Sequence, residues 1–281
     1  MDLPDLIPLQ QSSRYVATLR LMGRQVIDLA PDGDTPLYAL RRRFGPVPLY
    51  YLPRADLGDG RAKWLSALPR RAARLVIPEV PDQTAGDTPG FPILTAQHIA
   101  ELNVPRPPVM DHIWANMHGK WRNRLRRAQD SALVVRETLY DPDRDAALLR
   151  PELRQRRRRG YRSYTPAFLA AYATANPHQT CLLQARLNGD TIAFMLFLLH
   201  GPVATYTTGW TGSEGRKTHA HNLLMFEAMK RLFIKGICRI DLGTIDTDDG
   251  MALARFKLGC GARARTLGAT RLIPPGFRVS P

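Results

Sequence analysis

Residues 181–210 read CLLQARLNGDTIAFMLFLLHGPVATYTTGW, and the fold follows from how this stretch is read. Cys181 to Leu187 and Thr191 to His200 are mainly apolar runs of strand length, and Asn188-Gly189-Asp190 between them supplies the positive φ angles that a tight hairpin turn needs. After Gly201-Pro202, Ala204 to Trp210 makes a third strand. The glycine-containing segment Thr211 to Thr218 then leads into a helix from about His219 to Lys235, closed by Gly236. Leu224, Met225, Ala228, Met229, Leu232 and Phe233 form its apolar face, and Lys230, Arg231 and Lys235 lie near its C-terminus, where the helix dipole favours cations. A strand at Cys238 to Leu242, a loop from Gly243 to Gly250, a short helix over Met251 to Leu258 and a final strand near Arg265 to Ile273 complete a β-β-β-α-β-α-β order.

Upstream, Phe168, Leu169 and Tyr172 mark a helix ending near Asn176-Pro177. A basic helix runs from Asp145 through Leu148, Leu149 and Leu153 into Arg154 to Arg159 and stops at Gly160; Pro151 is expected to break it into two pieces. Ile113, Trp114, Met117, Trp121, Leu125 and Ala128 recur at spacings of three and four and predict one further helix, with Lys120, Arg122, Arg124, Arg126 and Arg127 on its other faces. Residues 81–110, with Asp87-Thr88-Pro89-Gly90 and Pro105-Arg106-Pro107-Pro108, read mostly as surface loop. The first third reads as strands at Arg14–Leu21, Gln25–Leu29, Leu37–Leu40 and Val47–Leu52, with a turn at Asp32-Gly33-Asp34. A helix carrying Ala62, Trp64, Leu65 and Leu68 follows Asp59-Gly60, and Leu75-Val76-Ile77 reads as a short buried strand.

With 281 residues, 44% of them apolar, the chain can build a sizeable core, and disorder is excluded as its main state. The formal charge is +15, carried by thirty-four Arg and only six Lys, so the excess sits on planar forks suited to phosphate and carboxylate. Residues 111–163 hold fourteen basic against seven acidic groups, whereas residues 1–110 hold thirteen against eleven. A localised anion-facing surface therefore fits better than a uniform basic coat. Cys181, Cys238 and Cys260 are an odd set without C-x-x-C spacing, which excludes a disulfide framework and a Cys-rich zinc site. The acidic start, Met1-Asp2-Leu3-Pro4-Asp5, lacks a signal pattern, and the longest apolar run, Ile192 to Leu199, is far short of a bilayer span. The expectation is a soluble cytoplasmic protein.

Three antiparallel strands feeding a long helix and another strand resemble the core of a GNAT-type acyltransferase. Trp210 to Gly261 is similar to the FemAB-like branch of that superfamily. The matching residues are the small-polar loop before Asn222-Leu223-Leu224, the helix ending at Gly236, the strand with Asp241-Leu242-Gly243, and the segment Gly250 to Gly261 with Phe256-Lys257-Leu258-Gly259. His118 to Ala128 resembles the basic helix by which this family joins its halves, and Leu49-Tyr50-Tyr51-Leu52-Pro53-Arg54 resembles a strand-end motif of the first half. The resemblance implies an α/β (α+β) fold of two GNAT-like halves, with mixed, mainly antiparallel sheets flanked by helices. The halves are 1–110 and 164–281, joined by a basic helical connection at 111–163.

Such proteins move an acyl or aminoacyl group from a large anionic donor to an amine by positioning both substrates and stabilising the tetrahedral oxyanion. The donor is a co-substrate, aminoacyl-tRNA, acyl carrier protein or acyl-CoA, and no permanently bound cofactor or metal is implied. Ordinary GNAT enzymes hold the coenzyme A pyrophosphate through R/Q-x-x-G-x-G/A at the start of the long helix. The register Arg216-Lys217-Thr218-His219-Ala220-His221 lacks both glycines, and FemAB-like enzymes take their donor on tRNA, which puts tRNA slightly ahead. The donor-binding candidates are Gly212, Gly215, Arg216, Lys217, Asn222, Lys120 and Arg124. The basic 111–163 segment and Arg154 to Arg159 suit a tRNA backbone or an acidic carrier protein equally.

By resemblance, Lys257 stands beside the reacting carbonyl or the donor's terminal phosphate; the alternative is a surface lysine paired with Asp246, Asp248 or Asp249. Asp241 is either an acceptor-binding group or the acceptor of a turn at Leu242-Gly243. His221, with His219, is a candidate general base because imidazole titrates near neutrality; the alternative is an ordinary polar helix start. Two residues apart, they do not share a helix face and are not expected to bind a metal jointly. Tyr206, Trp210 and Phe256 are candidates for an acyl channel, the sheet aromatics being equally suited to the core. The competing class is a non-catalytic, Arg-rich nucleic-acid-binding or assembly protein on the same scaffold.

Overall fold

The computed structural model describes residues 6–31, 35–81, 88–103, 110–161, 163–245 and 250–278. The acidic N-terminus, Asp32-Gly33-Asp34, Asp87, Pro105 to Pro108 and Asp246, Asp248 and Asp249 lie outside them. In chain order the elements begin α1 (Ser13–Leu21), β1 (Val26–Asp28), β2 (Tyr38–Phe44), β3 (Val47–Ala55), α2 (Arg61–Ser66), β4 (Ala73–Pro78), β5 (Phe91–Leu94) and β6 (His98–Asn103). Next are α3 (Met110–Asn116), α4 (Gly119–Gln129), β7 (Val134–Thr138), α5 (Ala146–Arg159), α6 (Pro166–Ala175), β8 (Thr180–Leu187), β9 (Asp190–His200) and β10 (Val203–Thr211). The chain ends with α7 (Ser213–Lys217), α8 (Ala220–Ile234), β11 (Arg239–Ile245), α9 (Met251–Gly259), β12 (Arg263–Thr266) and β13 (Thr270–Ile273).

Two mixed sheets result, one ordered β1-β2-β3-β4-β13-β5 and the other β12-β6-β11-β10-β9-β8-β7. The compact units are residues 1–6 with 100–264, and residues 7–99 with 265–281. They part there rather than at 110 and 163, and the basic helices α4 and α5 lie inside the larger unit. Each unit contains the same plan. β3 pairs antiparallel with β2 and, after α2, parallel with β4; β10 pairs antiparallel with β9 and, after α8, parallel with β11. This repetition is the pair of GNAT-like halves.

The hairpin forms as its sequence dictates, with Asn188 at φ 51° and Gly189 at φ 92°, the two left-handed residues that match strand twist. Its strands are buried on both faces, Cys181 to Leu183 and Ala193 to Leu198 being at most 0% exposed. α8 is apolar around most of its circumference because it is enclosed: Leu224, Met225, Ala228, Met229 and Leu232 share one core with Trp121 and Leu125 of α4 and Met195 and Phe197 of β9.

Several expectations are corrected. Arg14–Leu21 is helical, not extended: Ser12 caps it by accepting the Tyr15 N–H at 3.2 Å, and Val16 and Leu19 are buried at helical spacing. Within 81–110 the described stretch 88–103 is not mostly loop, since β5 and β6 take up ten of its sixteen residues. Ile99, Ala100, Glu101 and Leu102 of β6 are all buried, so no alternation betrays the strand, and Glu101 is paired with buried Arg239 at 3.6 Å. The helix expected over 113–128 is two, because His118 is extended at ψ 141° and its ring accepts the Lys120 N–H to start α4. α5 runs unbroken through Pro151, held beyond it by the buried Glu152–Arg156 pair at 2.8 Å and closed by Gly160 at φ 73°. The last strand is two, β12 and β13, one in each sheet.

Ala at position 189 would have to occupy the left-handed region that glycine tolerates. Gly189→Ala is expected to cost about 1 kcal/mol, seen as a lower urea midpoint with an unchanged slope.

Candidate active site

The site begins where a ladder stops. The parallel register of β10 and β11 runs Val203–Arg239, Ala204–Ile240, Thr205–Asp241 and ends, although β10 continues to Thr211 and β11 to Ile245. A bulge between Tyr206 and Thr208 turns β10 at that point. Backbone groups that lose strand partners need others, and side chains provide them. Ser163 Oγ donates to the Thr207 carbonyl at 2.8 Å, Arg216 Nη1 to the Thr211 carbonyl at 2.8 Å, and Lys257 Nζ to the Thr244 carbonyl at 2.8 Å. His221 Nε2 lies 3.0 Å from the Trp210 carbonyl; a carbonyl only accepts, so Nε2 carries the hydrogen.

Lys257 is 5% exposed. It projects from α9, and its ammonium forms no ion pair with a carboxylate among the described residues. Burial lowers its pKa to about 8, with Asp241 acting in the opposite sense. One of its three N–H donors goes to Thr244, leaving two without a partner among the described residues. The pairing alternative with Asp246, Asp248 or Asp249 lies outside the described residues. Asp241 is 1% exposed, and its Oδ1 accepts the Gly243 N–H at 2.7 Å, closing the turn. Gly243, at φ 75°, lets the chain pass over the amine: a Cβ there would lie 3.9 Å from Lys257 Nζ.

α9 is docked by Trp121, whose Cδ1 would be 2.9 Å from a Cβ at Gly259. The His118 N–H also donates to the Gly259 carbonyl at 2.9 Å. Phe256 sits between the Trp121 and His221 rings, 6.0 Å from each. Tyr206 packs elsewhere on the same core, 5.5 Å from Phe197. Burial raises its phenol far above the usual range, with Tyr161 and Glu152 adding to the effect. Of the aromatic candidates, then, Phe256 meets His221 with its ring, Trp210 meets it only through its backbone carbonyl while its ring lies against Gly212, and Tyr206 does not join them. Burial lowers the His221 pKa to about 4 against the pull of the Trp210 and Phe194 carbonyls, so at neutral pH the ring is uncharged and a weak base.

The donor candidates divide likewise. Gly212 N–H is used by the Ile192 carbonyl at 2.9 Å. A Cβ at Gly215 would come within 2.7 Å of that carbonyl and 2.4 Å of Thr211 Oγ1. These glycines serve close packing. Lys217 pairs with Glu214 at 2.7 Å in solvent. Arg124, by contrast, faces the start of α8: burial and then Arg124 and Arg127 lower the pKa of His219, which caps that helix at φ 53°. Asn222, in the first turn, is 6% exposed with its Nδ2 unpartnered. Lys120, one turn before Arg124 on α4, is exposed on the same side. Trp121, Arg127, Thr244 and Gly259 are not among the candidate site residues read from sequence, although Trp121 and Arg127 fall in the helical pattern and Gly259 in the matching segment.

Among the described residues no group of three or more His, Cys, Asp or Glu side chains is placed to hold a metal ion, and no helix is long and apolar enough to cross a membrane. A desolvated amine suits the negative charge that develops when an acyl group is transferred. Residues 115–257, about half the chain, match the family model described as Acetyltransferase (GNAT) domain. The chain belongs to the GNAT family of acyltransferases. Its fold is shared with FemX, at 14% identity over 92% of this chain and 91% of that chain with a TM-score of 0.71. The C-terminal domain of a putative lysylphosphatidylglycerol synthetase from Agrobacterium fabrum is similar at 14% identity, 92% and 88% coverage and TM-score 0.53. A tandem GNAT protein from the clavulanic acid biosynthesis pathway is similar at 12% identity, 94% and 88% coverage and TM-score 0.53. Comparison with curated proteins gives no match.

The folded-state pKa of Lys257 lies below its ordinary 10.5, so the folded state binds fewer protons between about pH 8 and 10.5 and gains stability as pH rises through that window. The stability of the parent relative to Lys257→Met is expected to rise by on the order of 3 kcal/mol from pH 7 to pH 10.5. Denaturant titrations at the two pH values check it; a difference independent of pH would mean the amine is not desolvated.

Proposed function

We propose that the protein transfers an aminoacyl group from aminoacyl-tRNA to an amine. The acceptor nitrogen attacks the ester carbonyl carbon; the new C–N bond forms, the C–O bond to the ribose breaks, and a proton passes from the nitrogen to the leaving oxygen. Between these events the carbonyl oxygen carries a full negative charge. Lys257 is the group assigned to it, and the observation that carries the assignment is a buried ammonium with two N–H donors unpartnered among the described residues, beside the end of the β10–β11 ladder. Asp241 is a positioning residue that helps keep that amine protonated and holds the Gly243 turn beneath it. His221 is assigned to fastening α8 to β10, because a base with a pKa of about 4 takes little from an attacking amine at neutral pH.

The choice of tRNA over acyl-CoA is supported by what the segment before α8 lacks. Its glycines are packed, the Gly212 N–H is already committed to Ile192, and the register at Arg216 has no glycine where a pyrophosphate loop needs one. It is supported also by exposed cations without ion pairs among the described residues: Lys120, Arg124 and Arg127 on α4, and Arg150, Arg154, Arg157, Arg158 and Arg159 on α5. An acidic acyl carrier protein would meet the same surface, so the donor is decided by experiment.

The test is thermal unfolding with bulk tRNA, acetyl-CoA and acyl carrier protein, followed by transfer assays with the donor that stabilises. Stabilisation by tRNA that fades steeply with salt is expected; stabilisation by acetyl-CoA alone would overturn the reading. With the active donor, Lys257→Ala is expected to lower kcat by about 10²–10³ with little change in KM. Asp241→Asn removes the charge that supports the ammonium, so the alkaline fall in activity should begin at lower pH than in the parent. An alkaline limb unmoved by Asp241→Asn would separate that limb from Lys257.

A further inference from the structure

The smaller unit holds a second concentration of positive charge that acyl transfer does not use. β2 outlasts its neighbour: β1 pairs with it only from Tyr38 to Leu40, and the Arg41 N–H is taken by the Gln25 carbonyl at 2.9 Å. Beyond that point the strand edge borders an open groove of about 460 Å³ lined by Gly23, Arg24, Gln25, Arg41, Arg42 and Arg43. Arg41 and Arg43 leave one face of the strand and Arg42 the other, while Arg24 comes from the turn before β1, so guanidinium groups approach the groove from several sides.

All four arginines are exposed, and none forms an ion pair among the described residues. Arg41 Nη1 donates to Gln25 Oε1 at 3.1 Å, a neutral partner. Arg42 faces the phenols of Tyr15 and Tyr51; burial pushes Tyr15 up to about 12, so neither phenol offsets the cation near neutral pH. Asp28, farther along β1, accepts the Ala30 N–H at 3.1 Å. Charge on a strand edge also deters pairing with another chain, but that role needs one cation rather than four. Four exposed arginines bordering one groove, each able to take two oxygens of one anion, suit a ligand carrying more than one phosphate.

We propose that this groove binds phosphate groups, two or more at a time. The inference does not depend on which acyl donor the enzyme uses. The phosphates belong either to a small polyphosphorylated compound or to an RNA backbone, and two probes separate these sources. Calorimetric titration of the full chain with sodium pyrophosphate, and binding of a labelled single-stranded RNA across a salt series, are compared for the parent, Arg42→Gln/Arg43→Gln, and Arg157→Gln/Arg158→Gln on α5. Thermal unfolding establishes that each variant is folded, as substitution of exposed side chains predicts.

The expected result is a pyrophosphate site present in the parent and the α5 variant and weakened at least tenfold in the groove variant. If pyrophosphate does not bind, but the slope of log K against log salt for RNA falls by about 1.4 in the groove variant, as two lost contacts to a single strand require, the proposal stands with RNA as the source. Equal behaviour of parent and groove variant toward both probes would overturn it.

Discussion

The hydrogen-bonded register between β10 and β11 stops at Thr205 and Asp241, and the larger unit is organised around that stop. A parallel ladder that ends inside a protein leaves carbonyls and N–H groups that cannot stay bare. Ser163, His221, Arg216 and Lys257 each give a hydrogen to one of the exposed carbonyls. They come from the segment after α5, from α8, from α7 and from α9, so four separate pieces of chain are fastened to the two diverging strands. What looks like an assortment of polar residues is one structural solution, and among the described residues it leaves buried Lys257 with donor capacity to spare.

That capacity has an energetic cost. An ammonium removed from water and bonded, among the described residues, only to a carbonyl is worse off than one in solvent, and burial pulls Lys257 down to about 8. A leucine or methionine at this position would pack without that cost. Retaining the amine is understandable if its charge is realised during a reaction, when an oxyanion forms close by, since a prearranged cation need not reorganise at that moment. Asp241 limits the cost without cancelling it: its Oδ1 is engaged by Gly243, and its charge reaches Lys257 as a field rather than a salt bridge.

Much of this was legible in sequence, unevenly and for physical reasons. The β8–β9 hairpin and α8 declare themselves because turn chemistry, periodicity and capping agree locally. α1 misled because Tyr15, Val16, Thr18 and Leu19 satisfy a strand pattern as well as a helical one, and the Ser12 cap decides between them. β6 was hidden because both its faces are buried and one buried residue is Glu101, whose partner Arg239 is distant in sequence. Lys257 was marked by resemblance alone; no local pattern distinguishes a buried lysine from an exposed one on a short helix. The Arg24 and Arg41–Arg43 groove was invisible to charge counting, because residues 1–110 are nearly neutral in sum while folding gathers four of their arginines at one edge.

The two halves repeat one plan and differ at the place that matters. In the smaller unit β3 also bulges, between Leu52 and Ala55, but its pairing with β4 resumes at Ala55–Pro78. Arg54 occupies the bulge at φ 49°, a strained conformation costing about 1–3 kcal/mol. Its guanidinium meets Glu79 through two bonds, at 2.8 and 2.9 Å, and Glu79 also binds Arg265, with its carbonyl accepting from Nη1 at 2.6 Å. A cation at the bulge is therefore neutralised, and the strands close over it. In the larger unit the cation has no carboxylate bonded to it among the described residues, and the strands stay apart. The corresponding parallel pair thus closes over a neutralised cation in one half, and in the other stops short beside a buried cation that is bonded to no carboxylate among the described residues.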